Sequence, residues 1–266
     1  MDLPALKDKE FTLFQQLIYE MAGIHMSSAK KALVSGRLAK RIKHFGLASY
    51  EDYFRMLKTV ANGELQTAVD LLTTNETFFF RESKHFDFLR DKILPEWRFG
   101  PRRLWSAASS SGEEAYTLAM VLAAHSPTDA WEIFGTDIST RVVERARAGQ
   151  YPIERANNIP RSYLTEYCLK GTGSQEGTFI VAKELRARTS FVHANLQTDL
   201  SRLGTFDVIF LRNVLIYFDM ETKQRVVTRL VRQLKPGGYL MVGHSESLNG
   251  VTDAVRVVVP SVYRKP

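Results

Sequence analysis

Apolar residues recur at helical spacing through the first part of the chain. Steps of three and four residues place them on one face of a helix. The first helix has Phe11, Phe14, Leu17, Ile18 and Met21, and a second, after Ser27 and Ser28, has Val34, Leu38, Ile42 and Phe45. Two further helices are predicted over residues 50–57 and 64–72. Because this region carries no strand signal, we predict an all-α N-terminal domain over residues 1–84.

The pattern changes after Pro101, where short apolar strands alternate with amphipathic helices. Strands are predicted at residues 103–108, 131–137, 206–212 and 239–243, with helices over 112–124, 139–148 and 221–234. The run 206–212 is almost continuously apolar, as expected of a central parallel strand. This alternation predicts a doubly wound, Rossmann-like α/β domain over residues 101–266, joined to the helical domain by a linker over residues 85–100.

One segment interrupts the alternation of strands and helices. Residues 150–188 contain Pro152, Pro160 and a glycine-containing run at 171–177, followed by the apolar stretch 179–181. Glycine and proline of this density indicate turns between short elements. We predict an inserted small antiparallel β-subdomain, with residues 179–181 as a hairpin strand.

The composition is that of an ordinary globular protein. The 266 residues are 44% hydrophobic and 24% charged, and Cys168 is the single cysteine, which excludes an internal disulfide and a cysteine-based zinc site. The apolar runs are too short to cross a bilayer, and the first residues lack the apolar stretch of a signal peptide. We therefore expect a cytoplasmic location and no membrane insertion.

Positive charge is concentrated on the second predicted helix. The net charge is +7, and residues 21–50 contain no Asp or Glu. At about 100° per residue, Lys30, Arg37, Lys40 and His44 gather opposite the apolar side of this helix. Both a solvated basic face and a docking surface for an acidic partner are consistent with this pattern.

The loop after the first strand of the α/β domain has the features of a ligand-binding loop. It reads Ala107-Ala-Ser-Ser-Ser-Gly112, followed by Glu113. Small residues let a ligand approach the backbone, and the next helix offers free N–H groups. With one glycine, the loop lacks the dinucleotide fingerprint, which disfavours NAD. Glu113 is suited to a cationic ligand such as a sulfonium methyl donor, and equally to complementing the helix dipole.

Asp137 ends the following strand, where an acid can accept hydrogen bonds from ribose hydroxyls. The alternative is that it caps the next helix beside Ser139. Together, the loop and Asp137 predict an adenosine-containing ligand. Three more segments combine polar and aromatic residues: residues 73–82, which surround three consecutive phenylalanines, and residues 193–196 and 212–218, which follow strands.

Five ordered segments resemble the motifs of the CheR family of chemotaxis receptor methyltransferases. They are Asn75-Glu-Thr-Phe-Phe-Phe-Arg81, Ser106-Ala-Ala-Ser-Ser-Ser-Gly-Glu-Glu114, Gly135-Thr-Asp-Ile-Ser139, His193-Ala-Asn-Leu196 and Arg212-Asn-Val-Leu-Ile-Tyr-Phe218. The resemblance covers nearly the whole chain. It implies S-adenosylmethionine-dependent methylation of receptor glutamates for sensory adaptation. The products would be glutamyl methyl esters and S-adenosyl-L-homocysteine.

The resemblance also implies roles for individual residues. The cofactor would be bound by Asn75, Thr77, Arg81, Glu113, Asp137, Asn195, Leu196, Arg212 and Asn213. Arg81 and Tyr217 would face the transferred methyl group as catalytic residues. The basic helix, through Arg37, Lys40 and His44, would dock the glutamate-rich methylation region of the receptor.

A receptor C-terminal peptide is a further partner suggested by the resemblance. It would add a strand along the edge of residues 179–181, with Gly171 and Gly173 allowing close approach and Lys170 holding its carboxylate. A purely structural insert is the alternative. We expect a monomer, with no nucleic-acid partner and no metal.

Three alternative functions can be weighed against receptor methylation by features of the sequence. Gly243-His-Ser-Glu-Ser247 resembles a hydrolase nucleophile elbow but lacks its last glycine and a following helix. An RNA methyltransferase would fit the positive charge, but no RNA-binding module of known pattern is present. An inactive receptor adaptor is disfavoured by Arg81, Asp137 and Tyr217.

Overall fold

The computed structural model describes residues 4–59, 63–98 and 100–266, which divide into two compact units. The first contains the chain up to Thr74 together with Tyr217–Thr222, and the second contains Asn75–Ile216 and Lys223–Pro266. The boundary therefore falls at Thr74, earlier than residue 84, where the sequence predicts the helical domain to end.

The described residues of the first unit form four α-helices before Thr74, as the sequence predicts. They are α1 (Asp8–Ala22), α2 (Lys31–His44), α3 (Tyr50–Thr59) and α4 (Glu64–Leu72). Their core contains the apolar faces inferred from the spacing, among them Phe14, Ile18, Val34, Leu38 and Ile42. Burial of these faces stabilises helices that would be marginal alone.

A buried carboxylate joins three of these helices. Glu64, which is 4% exposed, accepts hydrogen bonds from Nε and Nη2 of Arg41 at 2.7 and 2.6 Å. The hydroxyl of Tyr53 donates to the same carboxylate at 2.6 Å. A forked guanidinium contact of this kind satisfies both carboxylate oxygens, so that α2, α3 and α4 are held in one arrangement.

The second unit contains a seven-stranded, mostly parallel sheet with helices on its faces. Its helices are α5 (Lys84–Phe88), α6 (Glu113–His125), α7 (Thr140–Ala148), α8 (Arg161–Tyr167), α9 (Lys183–Ala187) and α10 (Met220–Gln233, whose first turn belongs to the first unit). Its strands are β1 (Arg102–Ala107), β2 (Trp131–Asp137), β3 (Gln150–Pro152), β4 (Cys168–Lys170), β5 (Thr178–Val181), β6 (Thr189–His193), β7 (Phe206–Leu211), β8 (Leu234–Val242), β9 (Arg256–Val259) and β10 (Val262–Arg264). The main sheet has the order β6-β2-β1-β7-β8-β10-β9.

The order of the strands confirms the predicted doubly wound α/β class. Strands β6, β2, β1, β7 and β8 are parallel, whereas β10 runs antiparallel to β8 and β9. The chain proceeds from β1 to β2 on one side, and β7 lies on the other side of β1. In sheets of this kind, ligands bind outside the carboxyl ends of the strands at such a switch point.

A packed helical segment occupies the region predicted as a linker. Helix α5 continues into a π-helical turn, Leu89–Ile93, and a 3₁₀ turn, Leu94–Glu96. The side chains of Phe86, Leu89 and Ile93 are buried in the core of the second unit. This segment therefore belongs to the α/β unit because it supplies part of its hydrophobic core.

The predicted inserted subdomain is present as a three-stranded antiparallel sheet of order β3-β5-β4. The predicted route for a peptide along the edge of residues 179–181 is wrong. Strand β5, which contains them, pairs with β3 on one side and β4 on the other. The backbone N–H and C=O groups of β5 are therefore already hydrogen-bonded to its two neighbours, and β3 and β4 form the outer strands.

Candidate active site

The loop between β1 and α6 is tightly turned and closely packed. Gly112 has φ 94°, a conformation that strains any residue with a side chain. A Cβ atom there would lie 2.9 Å from the Cβ of Ala146 and 3.0 Å from the ring of Phe191. The loop therefore depends on this single glycine, and α6 begins directly after it with its N–H groups directed into the loop.

Asp137 holds this loop from the end of β2. One carboxylate oxygen accepts the backbone N–H of Ser110 at 2.9 Å, and the other accepts that of Ser139 at 2.9 Å. The residue is 6% exposed. Asp137 thus joins the loop after β1 to the residue preceding α7, so a role near that helix N-terminus and a role in shaping the ligand loop are both compatible with its position.

Glu113 is an almost fully buried carboxylate at the first residue of α6. It accepts a hydrogen bond from the Ser111 hydroxyl at 2.7 Å, and Nη1 of Arg155 lies 3.4 Å from it. Burial raises the pKa of this carboxyl above its ordinary value, and the Ser111 bond and the nearby arginine oppose the change. A buried acid of this kind would gain from a cationic ligand group beside it.

The segment from Asn75 to Arg81 contacts the same loop. The carbonyl of Asn75 accepts the Ser110 hydroxyl at 2.8 Å, and that of Thr77 accepts Nη1 of Arg155 at 2.6 Å. The Arg81 guanidinium donates to the Glu76 carbonyl at 2.9 Å. Asn75 is therefore bonded directly to the β1–α6 loop, whereas Thr77 contacts Arg155 and the Arg81 guanidinium bonds within its own segment.

Arg212, directly after β7, is a buried cation between two carboxylates. Its side chain is 1% exposed, and its guanidinium lies 2.9 Å from Glu114 and 3.0 Å from Glu82. It also donates to the Arg81 carbonyl. Sequence reasoning selected Arg212 but missed Glu82 and Glu114, although Glu82 follows Arg81 within a recognised segment.

Burial by itself would raise the pKa of Glu82. Hydrogen bonds from Asn213 and Arg212 outweigh that effect and lower it to about 2. The carboxylate is therefore ionised at neutral pH.

Among the described residues, Glu82, His85 and His244 are close enough to suggest a metal site, with ligand atoms within 4.8 Å. Because the Arg212 guanidinium already contacts this carboxylate, we assign no metal to the group.

Asn213 has a strained backbone conformation for a residue with a side chain, with φ 57°. Its amide side chain donates to Glu82 at 3.0 Å, and its backbone N–H donates to Glu246 at 2.8 Å. Glu246 was missed by sequence reasoning. It lies in the segment 243–247, whose sequence pattern resembles a hydrolase motif and does not indicate this contact.

The remaining predicted cofactor residues follow β6, the strand beside β2. Asn195 accepts the backbone N–H of Gln197 through its side-chain oxygen at 3.0 Å, and Leu196 is 8% exposed. All nine predicted cofactor residues lie in the second unit. Four of them lie in the loops that follow β6 and β7, whereas Asp137 ends β2 and Glu113 begins α6 after the β1 loop.

The other predicted site residues belong to the first unit. The Tyr217 carbonyl accepts the N–H of His25 at 2.8 Å. Arg37 donates to the carbonyls of Leu72 and Thr73 at 3.1 and 2.9 Å, where α4 ends. Lys40 and His44 are exposed on α2. Arg37 therefore has a structural role that sequence reasoning did not foresee.

Across the described ranges 4–59, 63–98 and 100–266, no helix combines the length and the apolar character needed to span a bilayer.

Protein side chains pack closely on β2 near the carboxyl edge of the sheet. A Cβ atom at Gly135, in β2, would overlap the Phe191 ring and lie 2.9 Å from the Ser109 hydroxyl. Buried acids Glu113 and Asp137 flank the single-glycine loop. A doubly wound sheet with this edge defines the class of nucleoside-binding α/β enzymes, in which a cationic methyl donor suits the acids better than a pyrophosphate.

Comparison with known proteins defines the family. Residues 75–263 match the CheR methyltransferase, SAM binding domain, and residues 9–73 match the CheR methyltransferase, all-alpha domain. The chain belongs to the CheR methyltransferase family and is an S-adenosylmethionine-dependent methyltransferase. It is 42% identical over 92% of its length to the chemotaxis protein methyltransferase of Escherichia coli, covering 86% of that protein. With the protein of the same name from Salmonella typhimurium it shares 38% identity over 97% of its length and 91% of that protein.

Proposed function

We propose that this methyltransferase esterifies glutamate side chains in the cytoplasmic methylation region of chemotaxis receptors. The observation that supports it best is the buried polar edge around Asp137, Glu113 and Arg212, in a chain similar over most of its length to chemotaxis protein methyltransferases. The products are glutamyl methyl esters and S-adenosyl-L-homocysteine.

In this proposal each residue at the carboxyl edge has a defined role. Asp137 accepts hydrogen bonds from the ribose hydroxyls, and the buried Glu113 carboxylate lies against the cationic amino group of the cofactor. Asn195 binds the edge of the adenine base, which packs on Leu196. The family resemblance implies these assignments, and the charge, burial and loop position of the residues support them.

The chemistry requires alignment rather than a general base. A glutamate acceptor is already ionised at neutral pH, so that no proton has to be removed. When bound, the cofactor would supply a sulfonium methyl group as the electrophile for the acceptor carboxylate, with S-adenosyl-L-homocysteine as the leaving group. Arg81 would orient the acceptor carboxylate through a forked contact, and Tyr217 would place its hydroxyl or ring near the sulfur.

A radiolabelled methyl-transfer assay on receptor-containing membranes tests the reaction and the docking role of α2 together. We expect base-labile label on the receptor. Reversing Lys40 and Lys43 to Glu should slow labelling by roughly tenfold at low salt, because positive charge speeds encounter with an acidic surface. These two exposed lysines are a cleaner test than Arg37, which holds the end of α4.

The matched control reverses Lys9 and Lys92, two exposed lysines on α1 and on the turn after α5, with the same change in net charge. It should label receptor at the unmodified rate. Alkali-stable label on RNA would favour the rival methyltransferase, and no label at all would favour the adaptor. Equal rates for both reversals would remove the docking role from α2.

A receptor C-terminal peptide is a further proposed partner, at the outer strand β4 of the subdomain. Leu169 in this strand is 62% exposed, Lys170 is exposed, and β4 pairs with β5 on its inner side. A peptide could add a strand to the outer edge, with Lys170 near its carboxylate. Such a tether raises the local concentration of enzyme near its substrate.

Calorimetric titration with C-terminal receptor peptides tests this partner. We expect a dissociation constant on the order of micromolar, as for a small transient interface. Lys170→Glu should abolish the binding, whereas Lys183→Glu, an exposed lysine of α9, should leave it intact. Absence of heat and of chemical-shift change with every peptide would leave the insert with a structural role alone.

A further inference from the structure

The carboxylate of Glu246 connects the loops that follow two neighbouring strands, β7 and β8. One oxygen accepts the backbone N–H groups of Asn213 at 2.8 Å and Gly243 at 2.6 Å, and the other accepts that of Ile216 at 3.3 Å. The residue is 8% exposed. Hydrogen bonds to an ionised acceptor are about twice as strong as those between neutral groups, so this single side chain fixes three points of the backbone.

The packing around Gly243 leaves no room for a side chain. A Cβ atom there would lie 2.7 Å from Nδ2 of Asn213 and 2.8 Å from the Glu246 carboxylate. The loops after β7 and β8 therefore approach closely enough for one carboxylate to bind both. The segment 243–247, which is not a nucleophile elbow, has a definite use in this arrangement.

Asn213, whose backbone N–H donates to this carboxylate, has a left-handed backbone conformation. Asn213 has φ 57°, a conformation that persists only where the surroundings impose it. Its backbone N–H donates a hydrogen bond to Glu246, and its side-chain amide donates one to Glu82. Without the first bond the backbone of Asn213 can relax to an ordinary conformation, which would turn its side chain and move the loop that follows.

We infer that Glu246 is a positioning residue for the cofactor: it holds Asn213 and the loop after β7 in the conformation that binds S-adenosylmethionine. This inference rests on the proposed cofactor role of Asn213. Glu246 itself does not need to contact the cofactor, because it acts through the backbone.

Asp207 offers a matched comparison at the opposite end of β7. It is also 8% exposed and also accepts a backbone N–H, that of Arg103, at 2.9 Å. It differs in forming ion pairs with Arg102 and Lys235 at the amino end of the strand, away from the candidate site. Loss of Asp207 should therefore affect stability without changing the cofactor loops.

Calorimetric titration of the full chain with S-adenosyl-L-homocysteine tests the inference. Glu246→Ala should raise the dissociation constant roughly tenfold, the size expected from one lost charge-assisted bond. Glu246→Gln should raise it about threefold, since an amide oxygen can still accept from Asn213 and Gly243 while its NH₂ opposes the N–H of Ile216. Asp207→Asn should lower the melting temperature and leave the constant unchanged.

Steady-state kinetics add a measurement that a structural role would not change. In the Glu246 variants the KM for the cofactor should rise while the KM for receptor stays constant. An unchanged affinity in Glu246→Ala, or in Glu246→Gln if the alanine variant does not fold, overturns the inference. If the Glu246 variants bind normally, Asp137→Ala shows which proposal has failed. Normal binding by Asp137→Ala as well would mean that the proposed cofactor site is wrong. Weak binding by Asp137→Ala would mean that only the role of Glu246 is wrong.

Discussion

Methionine in place of Arg212 is expected to lower the free energy of unfolding by about 3–5 kcal/mol, the usual effect of removing one partner from a buried ion pair. The guanidinium is 1% exposed and lies between Glu82 and Glu114. Methionine keeps much of the side-chain volume but leaves two carboxylates facing each other without a cation. Denaturant unfolding at neutral pH measures the change.

The matched control is Arg90→Met, in the same unit. Arg90 is 38% exposed and pairs with Asp87 and Asp91. Exposed ion pairs contribute about 0–1 kcal/mol, so that variant should unfold nearly as the unmodified protein does. If Arg212→Met and Arg90→Met had equal midpoints, the buried pair could not be a main determinant of the stability of the second unit.

Acid titration of stability gives an independent check on Arg212. The pKa of Glu82 is lowered to about 2 from an ordinary value of 4.5. A carboxyl with a depressed pKa stabilises the fold at pH values above its unfolded pKa, and this contribution is lost as the pH falls from near 4.5 towards 2. Arg212→Met removes part of what lowers the pKa of Glu82. The variant should therefore lose less stability than the unmodified protein as the pH falls from near 4.5 towards 2.

Elements defined by local pattern could be predicted from the sequence. The helical spacing through Phe14 and Ile18 predicts α1, and the run that forms β7 is predicted to be a central strand because it is apolar except for Asp207. The segment around Phe86 was interpreted as a linker, since it lies between two regions of clear periodicity. Its burial depends on the α/β core, which is assembled from residues distant in the chain, and local periodicity does not report it.

The charged partners of the site could be predicted less well than its loops. Arg212 and Asp137 were identifiable because each directly follows or ends a strand. Glu82 lies 130 residues from Arg212, whose guanidinium donates to it, and Glu246 lies 33 residues from Asn213, whose backbone N–H donates to it. Such pairings depend on strand order, which short patterns do not determine. The same limitation explains β5, whose central position follows from its pairing with both β3 and β4.

Replacement of Asp137 by alanine is expected to weaken binding of S-adenosyl-L-homocysteine by roughly 1–3 kcal/mol, or about 5- to 150-fold. Two effects contribute. The proposed hydrogen bonds to ribose hydroxyls are lost, and the backbone N–H groups of Ser110 and Ser139 lose the acceptor that shapes the loop. Asp137→Asn should bind S-adenosyl-L-homocysteine with an affinity between those of the unmodified protein and Asp137→Ala, since one oxygen remains to accept a hydrogen bond.

Calorimetry on folded variants measures this affinity, with Asp129→Ala as the control. Asp129 is an exposed acid just before β2, at the opposite end of the strand that Asp137 terminates. Its loss should leave the affinity unchanged. A second readout is the rise in melting temperature on adding ligand, which shrinks as the dissociation constant grows. If Asp137→Ala stays folded and binds with the affinity of the unmodified protein, the ribose is not held at the end of β2, and the cofactor must be placed elsewhere along the carboxyl edge.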